Sequence, residues 1–200
     1  MSVVSHSYKV EQLYEDQHRD FVLDAVPAML AWLLASAHGV RREFEFDVEV
    51  KRSAADTSSQ ETLLVSWDMQ KLSAYDPSLE QRVQRMLNGR TPHREHVTEV
   101  AAYGLALIAI SVFLPGRRVV AWARHVAPDL LFDATPSARR GVEVAGRTHG
   151  GRGALRLIRE GTGEAPGKTA ALREDPEVAE AWLSLWCASP AVSAMVHVKP

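Results

Sequence analysis

The period of the hydrophobic positions changes several times along the chain, and each change predicts an element. Over residues 10–37, Leu13, Phe21, Val22, Met29, Leu30 and Leu33 recur at threes and fours, which predicts helix that Pro27 kinks or divides. Phe44, Phe46, Val48 and Val50 then alternate with Glu43, Glu45, Asp47 and Glu49, giving a strand with one apolar and one acidic face. The polar run 53–60 reads as a loop and 62–67 as a second strand, so the pair predicts a hairpin with a long tip. Residues 78–87 form an amphipathic helical pattern, and Asn88-Gly89 supplies a left-handed stop.

From Pro92 the order becomes helix, strand, strand, strand, helix, strand. A helix over 94–113 leads through Pro115-Gly116 into a strand over 118–124. Two short strands follow, 128–133 and 141–147, joined by a polar turn. Asp175-Pro176 has the form of a helix start, with Asp as cap and Pro at the first helical position, and it predicts a helix burying Val178, Trp182, Leu185 and Trp186. Residues 191–198 form the last strand, and 161–168 resemble a flexible linker. The pattern as a whole predicts an α/β (α+β) fold with a mixed central sheet flanked by helices. An N-terminal helix and hairpin extension, 1–91, precedes a core, 92–200, within one compact unit.

Composition narrows the function classes. A chain of 200 residues that is 46% hydrophobic can bury a substantial core, and a net charge of −2 gives it no global attraction to polyanions. The apolar run 100–114 is about 15 residues long, short of the ~20 that span a bilayer, so it predicts a core helix and no membrane insertion. One cysteine, Cys187, and no leader-like opening predict a reducing cytoplasm. Cys187 beside Trp186 reads as a buried, inert thiol.

The chemistry concentrates in the hairpin. Alternation puts Asp129, Leu131 and Asp133 on one face of its first strand and Glu143, Ala145 and Arg147 on one face of its second. With Leu131 opposite Glu143, Asp129 and Glu143 become diagonal neighbours with backbones roughly 7–8 Å apart, within reach of one hard cation. An acid-bearing helix, a strand opening Pro128-Asp129, a partner strand carrying Glu143-Val-Ala145, then a helix and a strand together resemble the PD-(D/E)XK nuclease-like superfamily over residues 94–199. The resemblance implies a restriction-endonuclease-like core, with Asp129 and Glu143 as magnesium ligands and Glu99 completing the site. The superfamily's lysine, two positions after the Glu, is Ala145 here. That departure leaves three candidates for a relocated cation: Arg147 on the same strand face, Lys168 and Lys199. Arginine stays protonated and is a poor base, though it can stabilise charge on a phosphoryl group.

Arg139, Arg140, Arg147, Arg152, Arg156 and Arg159 cluster in sequence around this hairpin, which predicts a nucleic-acid partner. Other motifs fail on spacing. Gly167-Lys168-Thr169 lacks the upstream glycine of a phosphate loop, where Thr162 stands, and His93 and His96 have no third ligand at a recognised distance. The acidic strand Glu43 to Glu49 would repel nucleic acid, so it is expected either to guard an exposed edge or to meet a basic partner protein through the N-terminal half. The expected function is metal-dependent hydrolysis of DNA or RNA, as in an effector of a defence system. The alternative is an inactive nuclease fold that binds protein or nucleic acid within a larger assembly.

Overall fold

The structure, a computed structural model, describes residues 3–36, 43–53, 55–89, 94–123, 126–133, 135, 138–162 and 165–200. Expectations placed on His93, Arg124, Gly163 and the division between residues 91 and 92 lie outside these.

In chain order the elements are β1 (Val4–Lys9), α1 (Leu13–Asp16), α2 (Arg19–Ser36), β2 (Glu43–Lys51), β3 (Ser59–Ser66), α3 (Met69–Tyr75), α4 (Leu79–Leu87), α5 (Arg94–Phe113), β4 (Ala121–Trp122), β5 (Leu130–Asp133), β6 (Arg139–His149), α6 (Gly151–Glu160), α7 (Lys168–Glu174), β7 (Val178–Ser189) and β8 (Val192–Lys199). Among the described residues, eight strands join one mixed sheet in the order β1-β3-β2-β8-β7-β6-β5-β4. The fold is therefore α+β with a mixed central sheet, as the periodicity predicts. β2 pairs in parallel with β8, so the strands of residues 1–91 and those of 92–200 form one continuous sheet.

One face of the sheet carries the larger core, built from α2 and α5 against Phe46, Val48, Leu63, Val142 and Trp186. The other face carries a smaller cluster in which Leu155 of α6 and Leu172 of α7 cover Leu183, Leu185 and Val196. Among the described residues α5 alone is long and apolar enough to cross a membrane, over His96–Phe113, and 61% of that window is buried in the fold. It is a core helix by its burial, although at 20 residues it is longer than the apolar run suggests.

Three expectations are corrected. The stretch read as a helix after Asp175-Pro176 is β7, a central strand buried over most of its length. Burial on both faces removes the alternation that marks a strand, leaving an apolar run that mimics a buried helix. Asp175 closes α7 instead, and its carboxylate accepts the Glu177 N–H at 2.9 Å. The helical stretch from residue 10 is divided, as expected, but at Gln17, between α1 and α2, and not at Pro27, through which α2 runs unbroken; a polar edge strand, β1, precedes it. Proline cannot donate to the carbonyl four residues back, that of Leu23, and the Arg82 guanidinium donates to it instead at 3.0 Å. The acidic strand β2 is internal to the sheet, so its carboxylates guard no edge.

The linker-like segment also has structure. Gly161 and Pro166 form a bridge, and the approach of Gly167 to the Arg159 carbonyl is too close for a side chain, since a Cβ there would lie 2.4 Å from that oxygen. The turn holds the start of α7 beside β6. The helix over 79–87 and its stop are as predicted, with Gly89 at φ +66°.

Replacing Arg82 with Met should cost roughly 1–3 kcal/mol, because it leaves the Leu23 carbonyl without its donor and the buried Asp76 carboxylate with only its two bonds from Ser78. Urea unfolding of the two proteins measures this, and equal midpoints would mean that the helix tolerates the orphaned carbonyl.

Candidate active site

The acid hairpin opens into a fork. β5 pairs with β6 at Leu130↔Val142 and Leu131↔Gly141, and the pairing becomes irregular beyond Leu131, towards Asp133↔Arg140. The expected register, Leu131 opposite Glu143, is off by two residues. Gly141 is the reason: a Cβ there would fall 2.0 Å from the Leu130 carbonyl oxygen, so only glycine lets the strands close at this level. Continuing this register brings Asp129 level with Glu143, where β5 parts from β6. The Asp129 carboxylate takes the ladder position a strand would have filled, accepting the Val144 N–H at 2.8 Å.

Helix α5 closes one side of the fork. It approaches β6 over Gly146, where a Cβ would lie 2.9 Å from the Ala102 Cβ and 3.0 Å from the Thr98 carbonyl. This close seat brings Glu99 and Tyr103 against the fork, where the Tyr103 hydroxyl favours the ionised form of Asp129. Helix α7 closes the other side. Lys168, its first residue, forms an ion pair with Glu143 Oε1. Ala145, which stands at the superfamily's lysine position, packs instead on the apolar cluster beneath α6. Lys199 points elsewhere, donating to the Asp175 carbonyl at 2.7 Å.

The electrostatics of the fork are those of a site short of positive charge. Burial, then the neighbouring Glu143 charge, push the Asp129 carboxyl up to about 6, although the Val144 N–H, Lys168 and Tyr103 all favour its ionised form. Burial and the Asp129 charge also push the Tyr103 hydroxyl upward. Glu143 is 7% exposed, and its Oε2 has no hydrogen-bond partner among the described residues. Glu61, on β3, is the contrast. Burial raises its carboxyl too, but hydrogen bonds from Arg52, Ser59 and His6 more than offset this and hold it at about 2.

Two clefts meet at the fork and share Glu99, Tyr103 and Asp129. The larger, about 600 Å³, runs past Thr98, Arg147 and Thr148 to Lys168. The smaller, about 270 Å³, is lined by His96, Val100 and Trp122. Among the described residues no group of three or more His, Cys, Asp or Glu side chains is arranged to hold a metal, so Asp129 and Glu143 stand as a pair, with Glu99 exposed at the rim.

The clustered arginines separate in space. Arg139 is buried, where it pairs with Asp175 and Glu177 at 2.9 Å and donates to the Ala127 carbonyl, tying the approach to Asp129 onto the start of β7. Arg140 faces Asp133 at 3.8 Å. On α6, Arg152 faces Asp47 at 3.9 Å, Arg156 faces Glu160 at 3.8 Å, and Arg159 binds Glu49 at 2.9 Å. The acidic face of β2 thus meets arginines of this same chain. Arg147 lines the larger cleft and forms no ion pair with a described residue. Lys168 was one of three candidates for the missing cation, and sequence could not choose among them because its contact with Glu143 spans 25 residues and depends on the bridged turn before α7.

Asp129 holds its proton more tightly in the fold than in the unfolded chain. The cation-free protein therefore loses stability as pH rises from the ordinary Asp value of roughly 4 to about 6, and the loss is complete above that. Asp129→Asn should raise the unfolding free energy by roughly 1–3 kcal/mol at pH 8 in chelator and change it little near pH 4. Denaturant curves at the two pH values measure this; no gain at pH 8 would mean that the pair is not in electrostatic conflict.

No protein-family model matches this chain, and neither does any curated protein or solved structure.

Proposed function

We propose that the protein is a metal-dependent phosphodiesterase acting on nucleic acid, a diverged relative of the PD-(D/E)XK nucleases in which the active-site lysine has moved from the hairpin to α7. The observation that carries this reading is the Lys168–Glu143 ion pair beside Asp129, because it returns to the fork the positive charge that Ala145 lacks. The element order also supports it: α5 leads to the antiparallel run β4-β5-β6, then to helices α6 and α7, and then to β7, which pairs in parallel with β6.

The residues fit a hard divalent cation such as magnesium. Asp129 and Glu143 offer carboxylate oxygens, one of them buried and unpartnered, and their mutual repulsion is the strain that a cation would relieve. When bound, magnesium would polarise the phosphoryl oxygen and acidify a water. The protein's own groups do the rest. The Lys168 ammonium, held by Glu143, stabilises negative charge on the attacking oxygen as it loses its proton. Arg147 is placed along the larger cleft to bind a neighbouring phosphate. Glu99, at the rim, can orient a water.

Calorimetry should show magnesium and manganese binding that Glu143→Ala abolishes and that weakens as pH falls through about 6, where Asp129 takes up its proton. Lys168→Met should retain metal binding and lower cleavage of mixed DNA and RNA by roughly 10²–10³-fold, the usual cost of removing one preorganised charge-stabilising group. Metal binding that is indifferent to Glu143, or cleavage that is indifferent to Lys168, would overturn the reading. An inactive binding module would show neither metal binding nor cleavage.

A further inference from the structure

The smaller cleft opens on the same Glu99 and Asp129 as the larger one, and the proposed hydrolysis leaves its Tyr103 and Trp122 walls unused. Its walls differ in kind. On the Lys168 side the fork presents Arg147, Thr98 and Thr148, groups that suit phosphate oxygens. On the other side it presents two aromatic rings, Tyr103 and Trp122, with centroids 4.4 Å apart and planes at 63°, next to the apolar Val100 and the polar His96. Trp122 is only partly buried, whereas Tyr103 is 8% exposed and held by the close seat of α5 on β6. A chain of phosphates running along the larger cleft would thus meet an aromatic recess beside Asp129. The recess, about 270 Å³, has room for one base and its sugar and not for a base pair.

We infer that the cleft formed by Tyr103 and Trp122 is a base subsite, so that the substrate is single-stranded nucleic acid or a strand with an unstacked base beside the scissile phosphate. This deepens the nuclease reading and rests on it for the orientation of the strand. Stacking on a tryptophan is available to any base with a free face and is denied to a base held inside a duplex. His96 and Glu99 at the rim offer polar edges to a base, so the recess can hold any of several bases.

The test reads binding apart from cleavage. Fluorescence anisotropy would follow labelled oligo-dT and oligo-U, and the same oligo-dT annealed to oligo-dA, with calcium in place of magnesium, since calcium takes the same oxygen donors. The wild-type protein should hold the single strands at least about tenfold tighter than the duplex. Trp122→Ala should lose about tenfold in single-strand affinity and none in duplex affinity or magnesium binding. Because Trp122 also packs edge-on against Phe21 with centroids 6.4 Å apart, Trp122→Leu and Trp122→Phe accompany it. Leu keeps apolar bulk and should behave as Ala does, whereas Phe keeps a ring and should retain most of the affinity. Equal affinity for duplex and single strand, or single-strand binding unaffected by Leu at 122, overturns the inference. Glu143-dependent metal binding with duplex cleavage would then leave the nuclease reading standing without the base subsite. Trp122-dependent single-strand binding without Glu143-dependent metal would uphold the subsite and remove the nuclease reading.

Discussion

The close seating of α5 is the constraint on which this structure depends. Two glycines set it. At Gly104 a Cβ would stand 2.9 Å from that of Met29, so α2 and α5 cross with little between their backbones. At Gly146 the same helix lies almost directly on β6. Packing at this density transmits position: a helix held against both a neighbour and a strand has little freedom to slide, and Glu99 and Tyr103 are fixed relative to Asp129 as a result. The apolar character that makes α5 resemble a membrane span is a requirement of this buried position.

Two partly or wholly buried carboxylates, Glu61 and Asp129, show how one chemistry serves two ends. Glu61 is surrounded by donors from Arg52, Ser59 and His6, and its charge anchors β1 to the sheet. Asp129 accepts the Val144 amide N–H but also faces Glu143, so its charge is incompletely compensated. A fold selected for stability alone would supply another donor or an amide at this place. Local conflict kept inside an otherwise consistent structure is characteristic of sites that wait for a ligand.

The legible parts of the sequence were those whose surroundings are simple. β2 has one buried and one wet face, so its alternation could be read directly, and α5 could be read from its length and unbroken apolar run. β7 could not, because strands on both sides and helices on both faces erase its period. The hairpin acids were legible as residues but not in register, since one glycine, Gly141, shifts the pairing by two positions. The arginines illustrate the limit most plainly. Neighbours in sequence suggested a single basic surface, yet Arg159 finds Glu49 across 110 residues, and its partner belongs to a strand that sequence alone had assigned to a separate extension.

The strand order has a further consequence for how the chain is made. β8, the last strand, lies in the middle of the sheet, with β2 on one side and β7 on the other. The segment of β1, β2 and β3 therefore leaves the ribosome with an acidic three-stranded piece whose inner edge has no partner until residues near Lys199 have emerged. Contacts this distant along the chain close slowly, and an open strand edge in the meantime is a site for mispairing. Internal in the finished sheet, β2 is an edge strand until β8 arrives, and the like charges of Glu43, Glu45, Asp47 and Glu49 on its one face disfavour pairing with a second copy in that interval.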